Sequence, residues 1–146
     1  MKSGIDAIIL DVAKIYLLRR VLAKARNIEA EKLENGLGLL KMTFPDLYQD
    51  PVVFGANALT KLLIDHQIKL DEIARIYVGT KSAIDNSNPI SSFLLKLMEQ
   101  KFGENTLSKC DAVDFVFACI GGVDAIQNCI DFIHLHPTTK SNCRHN

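Results

Sequence analysis

Neither sign of charge is in excess in this sequence, and it contains no long apolar run. Lys and Arg together number 17, as do Asp and Glu, so the formal net charge is zero. This balance gives no indication of a nucleic-acid surface. No apolar run approaches the roughly 20 residues that span a bilayer, and Asp6 and Asp11 interrupt the apolar stretch near the N-terminus. We therefore expect no nucleic-acid partner, no membrane partner, no signal peptide and a cytoplasmic location.

Cysteines are few, and their spacing matches no zinc-finger template. A reducing cytoplasm also argues against a disulfide framework. Of the four cysteines, we expect Cys110 and Cys129 to be buried small hydrophobes. Cys119 has a sequence context suited to reactivity, and Cys143 lies near the end of the chain.

Four side chains near the C-terminus suggest a zinc site only superficially. His134 and His136 with Cys143 and His145 supply ligand types that zinc prefers. However, the first pair is expected at a helix end and the second pair in a disordered tail. We therefore expect no metal and no cofactor.

Strand-like and helix-like segments alternate along the chain, which predicts an α/β fold with a small, mostly parallel sheet and flanking helices. Internal repeats and low-complexity segments are absent from the sequence. The apolar runs predict buried strands at 5–12, 73–78 and 112–118. Helical spacing and capping signals predict helices at 17–27, 51–66, 89–101 and after Cys119, with one helical turn at 29–33. The expected apolar stripes are Val52, Ala56, Leu59 and Leu63; Phe93, Leu94 and Leu97; and Val123, Ile126, Ile130 and Ile133.

The most informative segment is the run from Phe115 to Gly122, in which an apolar strand ends at Cys119 and two glycines follow. A helical pattern begins at once, so the thiol is expected at a strand-to-helix turn. Unpaired backbone N–H groups and the helix dipole at that position favour the thiolate. Such a thiolate is suited to accepting an acyl group from a thioester.

After His136 and Pro137 the sequence is polar, and no apolar segment remains to form another strand. A three-stranded sheet with open edges invites association. We therefore expect residues 1–137 to be the N-terminal part of a larger domain and residues 138–146 to be a disordered tail. A complete small domain with a flexible tail is the alternative.

Taken in order, the motifs of the chain resemble the N-terminal part of a hydroxymethylglutaryl-CoA synthase, a thiolase-like condensing enzyme. The resemblance covers residues 4–137, and several motifs in the same order make it specific. They are Gly4-Ile-Asp-Ala7, Leu22-Ala-Lys-Ala-Arg26 with Ile28-Glu29, Gly36-Leu-Gly38 with Lys41-Met42, Gln49-Asp50, Ala56-Asn-Ala58, Val78-Gly-Thr80 with Ser82-Ala-Ile-Asp85, and Ala118-Cys119 with Gly121-Gly122.

The resemblance implies acyl transfer in the mevalonate pathway, with acetyl-CoA and acetoacetyl-CoA as partners and a homodimer as the assembly. It places Cys119 at the position of the nucleophile and Glu29 at an acidic position of the coenzyme A pocket; a solvated first-turn acid is the other interpretation of Glu29. Lys81 stands where the family has its catalytic glutamate. A protonated lysine cannot accept a proton. An exposed loop lysine that points at water is the other interpretation of Lys81.

The family's catalytic histidine belongs to later sequence, so the chain alone is expected to be inactive in condensation. Three hypotheses follow: a synthase-type enzyme present as an N-terminal fragment, a non-catalytic acyl-CoA-binding or dimerisation module, and a non-functional truncated product. Lys81 favours the non-catalytic module, and the polar end after Thr138 favours the truncated product. A synthase variant that acts on acyl-carrier proteins is a further enzymatic alternative.

Overall fold

The computed structural model describes residues 3–136, which divide into two compact units. The smaller unit consists of residues 11–50, and the larger unit combines residues 3–10 with residues 51–136. The predicted tail at 138–146 lies outside the described residues. Among residues 3–136, no helix has both the length and the apolar character needed to cross a bilayer.

The smaller unit is an antiparallel two-stranded ribbon whose connection contains two helices. Both helices end at a residue in the left-handed conformation, Asn27 with φ 51° and Gly38 with φ 63°, which is a common helix ending. The side chains of Arg19 and Glu34 form an ion pair between the two helices. The elements are β1 (Ile15–Leu18), α1 (Arg19–Arg26), α2 (Ala30–Leu37) and β2 (Lys41–Phe44), with Ile15 paired to Phe44 and Leu18 to Lys41.

Sequence patterns located the helices of this unit but missed its strands. The helix predicted at 17–27 begins at Arg19, because Leu17 and Leu18 belong to β1. The turn predicted at 29–33 is the start of α2, which continues to Leu37. Four-residue strands carry little local signal and exist only because a distant partner completes their hydrogen bonds.

The larger unit contains a parallel pair of strands and three helices, as the α/β pattern predicts. The register runs from Arg75 opposite Asp111 to Thr80 opposite Val116. The carboxyl ends of both strands therefore lie at the same edge of the sheet. The elements are α3 (Pro51–Asp65), a short 3-10 helix (Leu70–Glu72), β3 (Arg75–Thr80), α4 (Ile90–Phe102), β4 (Asp111–Val116) and α5 (Ile120–Leu135).

The sheet of the larger unit separates two layers of helices. Ile76, Val78 and Ala112 pack into the core formed with α3 and α4. Side chains alternate along a strand, so residues 75, 77, 79 and 115 lie on the opposite face. There the rings of Tyr77 and Phe115 meet edge to face at 5.4 Å. The order of layers is thus α3 and α4, then the sheet, then α5.

The stripe predicted on α3 is confirmed. Val52 and Leu63 are buried, and Ala56 and Leu59 pack against the same cluster. The buried residues of this core are Val52, Leu63, Ile76, Ile90, Leu94, Met98 and Leu107.

The stripe predicted on α4 is partly wrong. Leu94 is buried, but Phe93 and Leu97 are exposed, and the helix instead buries Ile90 and Met98. Both sets of residues recur at helical spacing, so periodicity alone could not choose between two adjacent apolar stripes. Contact with α3 and the sheet makes the choice.

The face that helix α5 buries against the sheet differs from the face that its apolar pattern predicts. Gly121 and Ala125 are buried against the sheet, while Val123 is 61% exposed and Ile126 is 49% exposed. Small residues allow the helix backbone to approach the strands closely. Val123 and Ile126 therefore remain on the outer face, whereas Ile130 and Ile133 of the same predicted stripe are half-buried.

The strand predicted at 5–12 is absent from the structure. Residues 5–12 have no regular secondary structure, and Ile8 and Leu10 are more than 70% exposed. An apolar run favours extended backbone, but a strand requires a neighbour whose N–H and C=O groups complete the ladder. None of the described strands pairs with this segment.

The N-terminus of α4 is capped from another element. The Asp114 carboxylate on β4 accepts hydrogen bonds from the backbone N–H groups of Ile90 at 2.6 Å and Ser91 at 2.9 Å. Asn88 followed by Pro89 is the cap-and-proline pattern that predicts the start of this helix, but the Asn88 side chain bonds Asp85 instead. The carboxylate thus satisfies two helix amides and ties α4 to the sheet.

Two adjacent serines of α4 are expected to respond oppositely to alanine substitution. Ser91 is fully buried and its Oγ has no hydrogen-bond partner, whereas the Ser92 Oγ donates to the Pro89 carbonyl at 2.7 Å. Ser91→Ala removes an unsatisfied buried hydroxyl and should raise the free energy of unfolding by about 0.5–1 kcal/mol. Ser92→Ala loses a bond and should lower it by up to about 1 kcal/mol. Urea unfolding measures both, and equal shifts of the same sign would contradict this prediction.

Candidate functional site

Cys119 lies at the turn between β4 and α5. The strand ends at Val116, the helix begins at Ile120, and Cys119 occupies the N-cap position without a side-chain capping hydrogen bond. Its side chain is exposed. The predicted order of strand, thiol and helix is confirmed, although the strand ends at Val116 and not at Ala118.

The backbone of this turn is tightly constrained. Ala118 has φ 43°, which is unusual for a residue with a side chain. The N–H groups of Ile120 and Gly121 both donate to the Phe117 carbonyl oxygen at 3.1 Å. The sequence predicts that these two amides are unpaired. In the structure they are paired with the Phe117 carbonyl oxygen and close the turn. A strained residue next to a candidate nucleophile is a common feature of active sites.

Glycines bring the first turn of α5 against the end of β3. A Cβ on Gly79 would lie within 2.5 Å of three backbone atoms of Gly121 and Gly122. A Cβ on Gly121 would overlap the carbonyl oxygen of Phe115, whereas a Cβ on Gly122 would meet nothing within 4 Å. The predicted close approach is thus real, and Gly79 and Gly121 are the residues whose missing side chains permit it.

Lys81 is exposed and lies in the loop that follows β3. Because β3 and β4 are parallel, this loop and the Cys119 turn emerge at the same edge of the sheet. Asp85 orders the loop by accepting hydrogen bonds from the N–H of Ser87 at 2.7 Å and from Asn88. The Ser87 backbone bond, followed by the bonds from Asn88, lowers the pKa of the Asp85 carboxyl from its ordinary value.

Glu29 belongs to the smaller unit, where it occupies the position before the first residue of α2. Its carboxylate makes no capping hydrogen bond and pairs with the Lys32 ammonium at 3.5 Å. Both side chains are more than 70% exposed. The structure therefore gives Glu29 the environment of a solvated helix acid, while Cys119 and Lys81 share one edge of the other unit.

The other described cysteines differ from Cys119 in environment. The sequence predicts that both are buried, but Cys110 and Cys129 are only half-buried. Burial raises the pKa of the Cys110 thiol to about 11, and burial also raises the pKa of the Cys129 thiol. A cavity of about 380 Å³, lined by Asp71, Ile73, Lys109 and Cys110 among others, lies at the opposite end of the sheet from Cys119. The Cys110 thiol is protonated near neutral pH, so it is not a ready nucleophile in this cavity.

Cys119 is expected to react with iodoacetamide faster than Cys110. At pH 8, Cys119 should be modified first, because it is exposed and only about a thousandth of Cys110 is thiolate at that pH. The Cys110 rate should rise about tenfold per pH unit up to about pH 11. Peptide-level mass spectrometry measures each rate, and equal rates for Cys110 and Cys119 at pH 8 would contradict the order.

The same Cys110 proton links stability to pH. The folded chain holds it more tightly than a thiol with the ordinary pKa of 9.0. This contribution to stability is complete below about pH 9 and is lost as pH rises towards about 11.

Metal-ligating side chains do not cluster in groups of three or more within residues 3–136. His134 accepts or donates a hydrogen bond with Ser3 at 3.0 Å, and His136 stacks on Phe132. Cys143 and His145, the other two side chains considered for zinc, lie outside the described residues.

Comparison with known proteins agrees with the sequence motifs. Residues 1–139 match the family model of the hydroxymethylglutaryl-coenzyme A synthase N-terminal domain. A Schizosaccharomyces pombe hydroxymethylglutaryl-CoA synthase is 37% identical over 130 residues, which is 89% of this chain and 28% of the relative. A Haloferax volcanii hydroxymethylglutaryl-CoA synthase is 35% identical over 131 residues, or 89% of this chain and 29% of the relative. A solved structure of MvaS in complex with 3-hydroxy-3-methylglutaryl coenzyme A superimposes with a TM-score of 0.78 at 27% identity, covering 92% of this chain and 31% of that one.

The parallel strands, the thiol at the strand-to-helix turn and the solved relatives define a thiolase-like fold, of which the chain contains a part. Within that class, the chain belongs to the hydroxymethylglutaryl-CoA synthase family. It spans less than a third of the length of these relatives.

Three residues of this site were not identified from the sequence. The sequence gives no sign that Gly79 meets α5, that Ala118 has a left-handed backbone, or that Asp114 caps α4. Each acts through a contact between segments that are distant in sequence or through the closure of a turn. Local patterns carry no signal for such contacts.

Proposed function

We propose that Cys119 accepts an acetyl group from acetyl-CoA, as the first step of a hydroxymethylglutaryl-CoA synthase reaction. The observation that carries the proposal is the exposed thiol at the start of α5, in a chain that matches the N-terminal model of this family. The positive end of the helix dipole lies where the thiolate and the oxyanion would carry negative charge.

The acylation step uses the Cys119 thiol as the nucleophile and acetyl-CoA as the donor. The Cys119 thiolate attacks the thioester carbonyl carbon, and a new carbon–sulfur bond forms. The bond to coenzyme A breaks, and coenzyme A leaves as a thiolate that takes a proton from water. Thioester exchange conserves the activated acyl group, so this step requires no other energy source.

The condensation step needs groups that this chain does not offer at the matching positions. A base must remove a proton from the acetyl methyl group so that the carbanion can attack the ketone of acetoacetyl-CoA. Lys81 occupies the position of the expected glutamate, and a charged lysine cannot serve as that base. We therefore propose that the chain alone acylates slowly and does not condense.

The proposal also includes the domain to which the chain belongs, its coenzyme A pocket, its location and its assembly. Residues 1–137 would form the N-terminal part of a synthase domain, with 138–146 as a polar tail. Glu29 would line the coenzyme A pocket, and the protein would act in the cytoplasm as a homodimer in the mevalonate pathway. These elements are supported by the family membership of the chain.

The test is to incubate the purified chain with acetyl-CoA and to map acetylation by peptide mass spectrometry. We expect slow acetylation at Cys119 in the unmodified chain and none in Cys119→Ala. Cys129→Ala should be acetylated at Cys119 at the wild-type rate, because the raised pKa of the Cys129 thiol makes it a poor acceptor. Neither the unmodified chain nor Lys81→Glu should release product when acetoacetyl-CoA is added. Absence of acetylation at Cys119 in the folded chain would overturn the proposal, and robust product release would overturn the claim that condensation is lost. Acetyl-loaded acyl-carrier protein as the donor tests the carrier-protein alternative in parallel.

Lys81 favours one second candidate, a non-catalytic acyl-CoA-binding module. In that case acetyl-CoA should bind the chain and the Cys119→Ala variant equally well by isothermal titration, with no covalent product in either. Covalent acetylation of the wild-type chain would reject this candidate.

A further inference from the structure

The two segments that carry the candidate chemistry meet at a contact between glycine backbones. Gly79, the next-to-last residue of β3, lies against the first turn of α5, where a Cβ would lie within 2.5 Å of backbone atoms of Gly121 and Gly122. From the other side, the Gly79 Cα lies 3.5 Å from the place a Cβ on Gly121 would take. No side chain fits between the strand and the helix at this point.

The contact links the segment of Lys81 to the segment of Cys119. Lys81 follows Gly79 by two residues, and Cys119 precedes Gly121 by two residues. The route through the contact is therefore four residues long, although 38 positions separate Lys81 from Cys119 along the sequence. The spatial relation of the loop after β3 to the thiol is set by how closely α5 approaches β3.

We infer that Gly79 is a positioning residue for acyl transfer. Its missing side chain lets α5 rest on the end of β3, and this holds residue 81 and Cys119 at one edge of the sheet. The inference rests on the proposed function of Cys119. A displacement of about 1 Å at a reacting centre costs about a hundredfold in rate, and a methyl group at residue 79 would force a movement of that order.

The chain offers a matched pair of substitutions for the test. Gly79→Ala introduces a Cβ into the contact, while Gly122→Ala introduces one in the same turn into open space. Each variant is assayed in two ways. Acetylation by acetyl-CoA requires a positioned site, and alkylation by iodoacetamide requires only an exposed thiolate.

For Gly79→Ala we expect acetylation of Cys119 to fall at least tenfold, while alkylation of Cys119 changes less than threefold. For Gly122→Ala we expect both rates to stay within twofold of the wild type. A purely structural role would instead change both rates together, in proportion to the unfolded fraction measured by circular dichroism. Unchanged acetylation in folded Gly79→Ala, or such a parallel change, would overturn the inference.

A second measurement does not require the Gly79 variant to fold or the thiol to accept acetyl groups. A short amine–thiol cross-linker should join Lys81 to Cys119 in the wild-type chain and in Gly122→Ala. It should not join Lys101, at the end of α4 away from this edge, to Cys119. Absence of the Lys81 cross-link would overturn the inference. A cross-link without acetylation would overturn the proposed function and support the geometric relation.

Discussion

Gly121→Ala is expected to lower the free energy of unfolding by about 2–4 kcal/mol, whereas Gly122→Ala is expected to raise it by about 0.5–1 kcal/mol. The two glycines are neighbours in the first turn of α5, and neither has a positive φ. The opposite signs follow from their surroundings. A Cβ on Gly121 would overlap the Phe115 carbonyl oxygen, and a Cβ on Gly122 would meet nothing within 4 Å.

The overlap at Gly121 is costly because its neighbour is a strand backbone. A flexible side chain can move away from a new methyl group, but Phe115 is held in the ladder with β3. At Gly122 alanine mainly reduces the conformational freedom of the unfolded chain and improves helix propensity. Urea unfolding followed by circular dichroism measures both variants. Equal destabilisation by the two substitutions would show that α5 does not rest on the strands as described.

Asp114→Ala is expected to lower the free energy of unfolding by about 2–3 kcal/mol. The carboxylate accepts hydrogen bonds from the Ile90 and Ser91 amides at 2.6 and 2.9 Å, in a partly buried position. Its removal leaves two helix amides unsatisfied and also removes a negative charge from the positive end of the α4 dipole. Asp114→Asn keeps one acceptor and should cost about half as much.

The matched control for this prediction is Asp131→Ala. That carboxylate also accepts a hydrogen bond, from the Gln127 side-chain amide at 2.9 Å, but at an exposed position. Exposed bonds of this kind compete with water, so we expect a change of less than about 0.5 kcal/mol. A loss at Asp114→Ala no greater than that at Asp131→Ala would contradict the role of the inter-element cap.

Helix α3 and the Cys119 turn illustrate what could be predicted from the sequence. The proline start of α3 and its stripe through Leu63 are local signals, and both are found. The order of an apolar run, a cysteine, two glycines and a helical pattern likewise predicts a thiol at a helix start, and Cys119 lies there. These features depend on chemistry within a few residues, which the sequence states directly.

Residues 5–12 and helix α5 show where such prediction ends. The apolar run at 5–12 has the composition of a strand, but no partner among the described strands completes it. On α5 the apolar periodicity is real, yet the buried face is that of Gly121 and Ala125, because only small residues permit contact with β3. Both outcomes depend on partners that are distant along the chain.

For this protein the amino-acid order alone predicts the alternation of helices with parallel strands, the family, and Cys119 as the candidate nucleophile, since each depends on short-range patterns and motif order. Tertiary structure alone decided which faces are buried, that Asp114 caps α4, and that Gly79 meets Gly121 and Gly122. The physical reason is that burial and close contact are properties of pairs of segments, and a linear pattern describes only one member of each pair.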